Sequence, residues 1–199
     1  MEINMKTYVK KYLKRFAAVM MVALCLVLGS SLMPGGSAQA AAKKTTLEKK
    51  VESIVKAKVK TGSSKQAALK TLFQYVEKTY NYKRVVGFKD TAGWEKTYAL
   101  SMIKSKAGSC YHFAALYAFL TKKATGFPVR LCIGTTNGFN KARWQAHAWV
   151  EIKISGKWYI FDPNMDKFAA KSKLKYYKKN RDSLYNKTYK VQKRIAVAF

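Results

Sequence analysis

The sequence predicts an α+β fold, with helices first and a small antiparallel sheet second. Apolar residues recur at helical spacing over residues 45–125. From residue 128 onward the period changes, and short segments rich in β-branched and aromatic residues are separated by turns that contain glycine. The chain has 199 residues, 49% of them hydrophobic, which suits one globular domain with a substantial core.

Residues 1–40 have the three parts of a secretory signal peptide. Five lysines and arginines within residues 1–15 precede an uncharged apolar run over residues 16–28. An A-x-A triplet that ends at Ala40 then matches a signal-peptidase site, and a second triplet allows cleavage after Ala42. A membrane span usually needs about 20 apolar residues, so a retained anchor is the less favoured alternative. We therefore expect a secreted protein.

The charge of the exported chain predicts polyanionic surroundings. The sequence has 39 basic and 10 acidic residues, and removal of residues 1–40 leaves a net charge of +25. Such a charge steers association with polyanions. An exported protein meets anionic cell-wall polymers and membrane surfaces first, so we expect a monomer associated with the cell surface, and nucleic acid is the less favoured partner. A lysine-rich surface that is merely solvated is the alternative.

Four helices are expected before the sheet. Thr45 or Thr46 caps the first helix, whose apolar face consists of Leu47, Val51, Ile54, Val55 and Val59. Ser64 caps the second helix, whose apolar face consists of Ala68, Leu69, Leu72, Phe73, Val76 and Tyr80. The third helix is expected over residues 94–104. The fourth begins at Cys110 and ends at Thr125-Gly126, because Pro128 follows closely.

Three strands are expected over residues 128–136, 146–154 and 157–162. In the second strand, His147 and Trp149 alternate with small and aliphatic residues, as in a half-buried antiparallel strand. The Ser-Gly-Lys turn that follows is short enough to join the last two strands as a hairpin.

The mature chain divides into three parts. Residues 41–63 form a basic lead-in with the first helix, and residues 64–166 form the core domain. Residues 167–199 form a tail with eleven basic residues, one acidic residue and four tyrosines. We expect this tail to be either a helix that closes the domain or a basic arm.

Three residues with complementary chemistry occur at the ends of these elements. Cys110 opens a helix, where the helix dipole and free backbone N–H groups favour a thiolate. His147 begins one strand of the hairpin and Asp162 ends the other, so the turn brings them side by side. A cysteine paired with a histidine that a third polar group orients is the general arrangement of an activated thiol nucleophile.

Motifs around these residues resemble the transglutaminase-like superfamily, whose members share a core related to papain-like cysteine proteases. Gly108-Ser109-Cys110 opens the helix, and Gly126-Phe127-Pro128-Val129-Arg130 leads into the first strand. His147-Ala148-Trp149 and the aspartate motif that ends at Asp162-Pro163 follow in the family's order, so the resemblance covers about residues 94–164. It implies a nucleophile helix packed on a small antiparallel sheet, after N-terminal helices.

The resemblance also implies roles for the three residues. Cys110 would be the nucleophile, His147 the general base and acid, and Asp162 the orienting carboxylate. The implied activity acts on amide bonds of a protein or peptide, including one linked to peptidoglycan, through a thioester acyl-enzyme. Water as acceptor gives a peptidase or amidase, and an amine gives protein-glutamine acyl transfer. A non-catalytic basic module that binds wall polymers or polyanions on the same fold is the alternative.

Other assignments of the cysteines and histidines are less favoured. His112 is expected to be structural or to line the rim of the site, because neighbours two residues apart diverge around a helix. Cys132 is expected to be a buried strand residue, although a disulfide with Cys110 remains open. Cys110, His112, Cys132 and His147 lack a recognised zinc spacing, and the acidic residues lack a calcium cluster, so we expect neither metal nor cofactor. Trp94 and Tyr98 are candidate oxyanion donors, and Trp94, Trp144 and Trp149 are candidate cleft walls.

Overall fold

The computed structural model describes residues 44–199, and the predicted signal peptide with both cleavage positions lies outside this range. The α+β prediction is confirmed: helices dominate the first part of the described chain and an antiparallel sheet the second. Within residues 44–199, no helix is both long enough and apolar enough to cross a membrane.

The four predicted helices are present with the expected starts. They are α1 (Thr46–Lys58), α2 (Lys65–Thr79), α3 (Trp94–Ser105) and α4 (Cys110–Thr125). Thr45 caps α1 by accepting a hydrogen bond from the backbone N–H of Glu48, and Ser64 caps α2 by accepting from Ala67. Helix α4 is buried on nearly every side, as expected for a helix that is apolar all round.

Two very short strands align the chain beside the start of α4. Strand β1 (Asn81–Tyr82) pairs in parallel with β2 (Ala107–Gly108), and Tyr82 lies opposite Gly108. Backbone hydrogen bonds from Asn81 to Lys106 and from Lys83 to Gly108 hold this pairing. A stretch that the sequence marks only as irregular therefore places Tyr82 next to the residues that precede Cys110.

The main sheet has five antiparallel strands in the order β6-β5-β4-β3-β7. The predicted strands are β3 (Val129–Thr136), β4 (Gln145–Ile154) and β5 (Lys157–Phe161). A short helix α5 (Pro163–Ala169) follows β5, and the rest of the chain adds β6 (Lys179–Asn180), α6 (Arg181–Leu184) and β7 (Tyr189–Ala196). Strands β4 and β5 form the expected hairpin, with Ile154 opposite Lys157.

The C-terminal tail is neither a helix that closes the domain nor a free basic arm. Strand β7 pairs with β3 along its length, from Thr136 opposite Tyr189 to Arg130 opposite Ala196. The tail thus completes the sheet. The prediction fails here because this pairing joins segments more than fifty residues apart, which the local pattern of lysines and tyrosines does not reveal.

Residues 147–152 of β4 are buried on both faces, which corrects the expectation that β4 is half-buried. One face carries Ala148, Val150 and Ile152 and belongs to the main core with helix α4. The other carries a second apolar cluster, consisting of Cys132, Trp149, Ile160, Met165, Ala170, Tyr176 and Tyr189. Residues after Asp162 supply four members of this second cluster, so the tail covers the face that the alternation pattern assigns to solvent. Fully burying a large apolar side chain contributes roughly 1.5–3 kcal/mol.

Candidate active site

Cys110 is the first residue of α4, at the positive end of the helix dipole. Ser109 precedes it as the N-cap in an extended conformation, with a φ of −79° and a ψ of 178°. Gly108 is required at this turn, because a Cβ atom there would lie 2.5 Å from the Cβ of His112. Cys110 is 7% exposed and lines a cavity.

His112 has a structural place at the same helix start. Its Nδ1 accepts a hydrogen bond from the backbone N–H of Ser109 at 3.3 Å and lies 3.1 Å from the Ser109 hydroxyl, so the two residues form a capping box. Its ring stacks on Tyr98 with the centroids 4.2 Å apart. Burial lowers the pKa of His112 to about 4, so the imidazole is neutral at physiological pH.

The β4–β5 hairpin brings His147 and Asp162 into direct contact. Val150 pairs with Phe161, so Asp162 leaves the ladder close to the start of β4, where His147 lies. The imidazole Nε2 donates a hydrogen bond to Asp162 Oδ2 at 2.6 Å, and each residue is only 1% exposed. This contact leaves Nδ1 as the ring nitrogen that is available to the Cys110 thiol.

The surroundings of His147 favour the imidazolium. Burial lowers the pKa of His147, but the charge of Asp162, the hydrogen bond to Asp162 and the nearby Cys110 thiol together raise it to about 10. Cys110 and His147 line the same cavity. A protonated imidazole beside the thiol is the partner that stabilises a thiolate.

Asp162 accepts three hydrogen bonds that fix its carboxylate. Its Oδ1 accepts from the backbone N–H of Met165 at 2.9 Å and so caps helix α5. Its Oδ2 accepts both from His147 and from the phenolic hydroxyl of Tyr189, the latter at 3.0 Å. The contact with Tyr189 was not predicted from the sequence, because it depends on the long-range pairing of β7.

A cavity of about 580 Å³ opens beside Cys110 and His147. Its other lining residues are three aromatic residues, two amides and one alanine: Tyr82, Phe139, Phe168, Gln145, Asn164 and Ala146. Tyr82 and Phe168 meet edge to face with centroids 5.9 Å apart. Lys167, the neighbour of Phe168, donates a hydrogen bond to the Tyr80 carbonyl at 2.6 Å and so ties the two walls together.

The structure places the candidate tryptophans elsewhere. Trp94 packs against Phe88 and Tyr98, with ring centroids 4.9 and 5.3 Å away, outside the residues that line the cavity. Trp149 is fully buried in the second cluster, and Trp144 stacks beneath Lys190. The walls are instead Tyr82 of the short strand β1 and residues near the ends of β3, β4 and α5. These residues were not predicted from the sequence, and proximity in the sequence to His147 or Asp162 is a signal for Gln145, Ala146 and Asn164 alone among them.

The two cysteines of the described chain are free thiols, so a Cys110–Cys132 disulfide is not formed. Cys132 lies in the second apolar cluster, and burial raises its pKa well above the ordinary value. Within residues 44–199, no group of three or more histidine, cysteine or acidic side chains could hold a metal ion.

Several solved structures are similar to this chain at low identity. A proposed cysteine protease from Cytophaga hutchinsonii is 17% identical, with a TM-score of 0.48, over 75% of this chain and 50% of that one. A proposed protease from Parabacteroides distasonis is 12% identical, with a TM-score of 0.41, over 56% of this chain and 22% of that one. An arylamine N-acetyltransferase from Bacillus cereus, described with a Cys-His-Glu catalytic triad, is 17% identical, with a TM-score of 0.38, over 60% and 49%. The matched part of each solved chain is half its length or less.

No curated protein matches the sequence. The sequence model of the Transglutaminase-like superfamily matches residues 52–163, which is more than half of the chain and includes Cys110, His147 and Asp162. The match agrees with the observed order of helices and antiparallel strands, so the predicted family and papain-like fold class are confirmed. This chain belongs to the transglutaminase-like superfamily.

Proposed function

We propose that this protein is an exported cysteine-nucleophile enzyme that acts on amide bonds through a thioester acyl-enzyme. The observation that carries the proposal is the shared cavity of Cys110 and His147, with His147 bonded to the buried Asp162. In this arrangement the thiol can be activated, and the imidazole is held in one orientation.

The first half of the proposed reaction forms the thioester. The Cys110 thiolate attacks the amide carbonyl carbon, a C–S bond forms, and the carbonyl π electrons move to the oxygen. When the tetrahedral intermediate collapses, the C–N bond breaks, and the leaving nitrogen takes the proton from Nδ1 of His147. Asp162 keeps Nε2 protonated and the ring oriented throughout.

The second half transfers the acyl group. Neutral His147 takes a proton from the acceptor, the acceptor attacks the thioester carbonyl, and the C–S bond breaks to restore the thiolate and the imidazolium. Water as acceptor gives hydrolysis, and a primary amine gives an isopeptide bond. We favour hydrolysis, on the expectation that small bacterial members of the superfamily need not be cross-linking enzymes.

The tetrahedral oxyanion needs donors beside Cys110. The backbone N–H of Cys110, at the start of α4, is one candidate. Asn164 is the second: it lines the cavity, it is 2% exposed, and its Nδ2 has no hydrogen-bond partner within residues 44–199. A buried amide N–H without a partner costs about 1–3 kcal/mol, so a substrate oxygen is its natural acceptor.

The expected substrate is a protein or peptide, including a peptide linked to peptidoglycan. The cavity has aromatic walls and two amides, and no acidic side chain of residues 44–199 lines it. The net charge of +25 after removal of residues 1–40 supports association with anionic wall polymers or a membrane surface. The predicted signal peptide supports export.

Two labelling experiments and one product analysis test this proposal. Iodoacetamide should alkylate Cys110 faster than an ordinary thiol at mildly acidic pH, and Cys132→Ala, which removes the other buried thiol, should not change the rate. Mass spectrometry of peptide and peptidoglycan substrates then compares the wild type with Cys110→Ala. Cleavage fragments indicate hydrolysis, and ammonia release with a new isopeptide indicates transfer.

The charge also supports a second candidate, a non-catalytic module that binds polyanions. It predicts that binding to anionic wall polymers falls steeply with salt and is the same in wild type and Cys110→Ala. If Cys110 is alkylated no faster than a free thiol and no substrate is modified, this candidate replaces the enzyme.

A further inference from the structure

We propose that Tyr189 is a positioning residue of this site: its hydroxyl group holds Asp162 and so tunes the imidazole of His147 from the C-terminal strand. The inference rests on the proposed function of Cys110 and His147. It adds a residue that lies outside the segment matched by the superfamily model, which ends at residue 163.

Strand β7 delivers Tyr189 to the site. Tyr189 is the first residue of β7 and lies opposite Thr136, the last residue of β3. Its side chain is fully buried in the second apolar cluster, and its ring centroid is 4.8 Å from that of Trp149 and 6.4 Å from that of His147. The ring is therefore held on two sides, and the direction of its hydroxyl group is fixed.

The hydroxyl group of Tyr189 and the imidazole of His147 share one acceptor atom. Tyr189 donates to Asp162 Oδ2 at 3.0 Å, and His147 donates to the same oxygen at 2.6 Å. Hydrogen bonds to a carboxylate are stronger than those between neutral groups. Burial, followed by the charge of Asp162, raises the pKa of Tyr189 well above its ordinary value, so the phenol keeps its proton and remains a donor.

The second donor limits how strongly Asp162 stabilises the imidazolium. Without the hydroxyl group of Tyr189, Oδ2 would accept only from His147, while the bond from Met165 would still hold Oδ1. The imidazolium would then hold its proton more tightly and deliver it less readily to a leaving nitrogen. Tyr189 is thus expected to lower the pKa of His147.

Other charged and titratable groups face this pair from each neighbouring element. Cys110 of α4 faces His147, Asp166 of α5 and Tyr176 of the following segment lie near Asp162, and Tyr189 belongs to β7. Of the two tyrosines, Tyr189 alone donates to Asp162 within residues 44–199. Tyr176 belongs to the same apolar cluster and is therefore a matched control.

The experiment is an NMR titration of the histidine ring signals in the full chain, with Tyr189→Phe and Tyr176→Phe as variants. The chain has only two histidines, and burial lowers the pKa of His112 to about 4, so the signals of His147 can be separated. Tyr189→Phe should shift the titration of His147 upward by about 0.5 pH unit or more, while Tyr176→Phe leaves it unchanged.

A second substitution at position 189 should shift the titration of His147 in the opposite direction. Fluorotyrosine at position 189 retains the ring and donates a stronger hydrogen bond, so it should shift the titration of His147 downward. If Tyr189 only filled space, neither substitution would shift the titration of His147. If Tyr189→Phe and the fluorotyrosine protein both titrate like the wild type, the proposal is overturned.

The titration also separates this inference from the proposed function. It measures the coupling of Tyr189 to His147 whether or not the protein turns over a substrate. The alkylation rate of Cys110, measured in parallel, tests the thiolate itself. If Cys110 is alkylated no faster than an ordinary thiol while the titration of His147 shifts as expected, the enzyme is rejected and the coupling of Tyr189 to His147 is retained.

Discussion

The charge of Asp162 should control the reactivity of Cys110. Replacing Asp162 by Asn removes this charge but retains a side-chain oxygen that can accept from the backbone N–H of Met165. Asn is as good an N-cap as Asp, so helix α5 should remain capped. The substitution therefore tests the electrostatic role with little change in the fold.

The magnitude follows from the opposing causes of the shift at His147. The pKa of His147 is raised from 6.5 to about 10, and burial alone acts in the lowering direction. Without Asp162, the pKa of His147 should fall from about 10, because the two largest contributions that raise it are lost while burial still lowers it. Each pKa unit by which it falls removes about 1.4 kcal/mol of the preference for the imidazolium. We expect Cys110 alkylation and any turnover to fall by roughly 10²–10⁴-fold.

The assay is the second-order rate of Cys110 alkylation by iodoacetamide as a function of pH. In the wild type, the rate should stay high across neutral pH, because His147 remains charged until the pH rises through its raised pKa. In Asp162→Asn, the rate at neutral pH should fall to that of an ordinary buried thiol. Asp182→Asn, which removes an exposed carboxylate paired with Arg181, should behave like the wild type. Equal neutral rates in wild type and Asp162→Asn would refute the reasoning.

Three further predictions concern the cavity, the helix start and a buried carboxyl group. Asn164→Ala should lower kcat of the proposed reaction by roughly 10²–10³-fold with little change in KM, and a rise in KM alone would show that the amide does not serve the oxyanion. Gly108→Ala should lower the free energy of unfolding by about 1–3 kcal/mol in urea titrations, because the new Cβ meets His112; unchanged stability would contradict this. Burial and the neighbouring Asp166 raise the pKa of Glu77 to about 8. Between about pH 4.5 and 8, the folded state therefore binds more protons at Glu77 than the unfolded state does, so the free energy of unfolding of the wild type decreases as the pH rises. The free energy of unfolding of Glu77→Gln relative to wild type should increase over this range. A difference independent of pH would count against a raised pKa of Glu77.

The juxtaposition of the three candidate catalytic residues could be predicted because their positions depend on short segments. The Gly-Ser-Cys sequence with the apolar run behind it gives the start of α4, and the Ser-Gly-Lys turn gives the hairpin that joins His147 to Asp162. Both features depend on local periodicity and turn chemistry, which a single sequence contains. The structure brings Cys110 and His147 to one cavity and His147 into contact with Asp162, as the hypothesis requires.

The surroundings of these groups could not be predicted from local patterns. Glu151 looks like a solvent-facing residue of β4, yet it is fully buried and bonded to Arg130, whose guanidinium lies 2.5 Å away. In strand β7, Tyr189 and Val191 pack against the second apolar cluster, but a register shift after Val191 turns Ile195 toward the main core, so the strand shows no simple alternation. Its partner β3 lies far away in the sequence, so the pairing follows from tertiary structure rather than from propensity.

The C-terminal tail also affects the strength of the contact between His147 and Asp162. Two unit charges 4 Å apart interact by about 1 kcal/mol in bulk water and by about 4 kcal/mol at an effective dielectric constant of 20. The hairpin alone, exposed to water, would therefore raise the pKa of His147 only slightly. The tail supplies Tyr176 and Tyr189 to the cluster around Trp149 and so excludes water from Asp162. The motifs determine which side chains meet, whereas the C-terminal strand determines how strongly they interact.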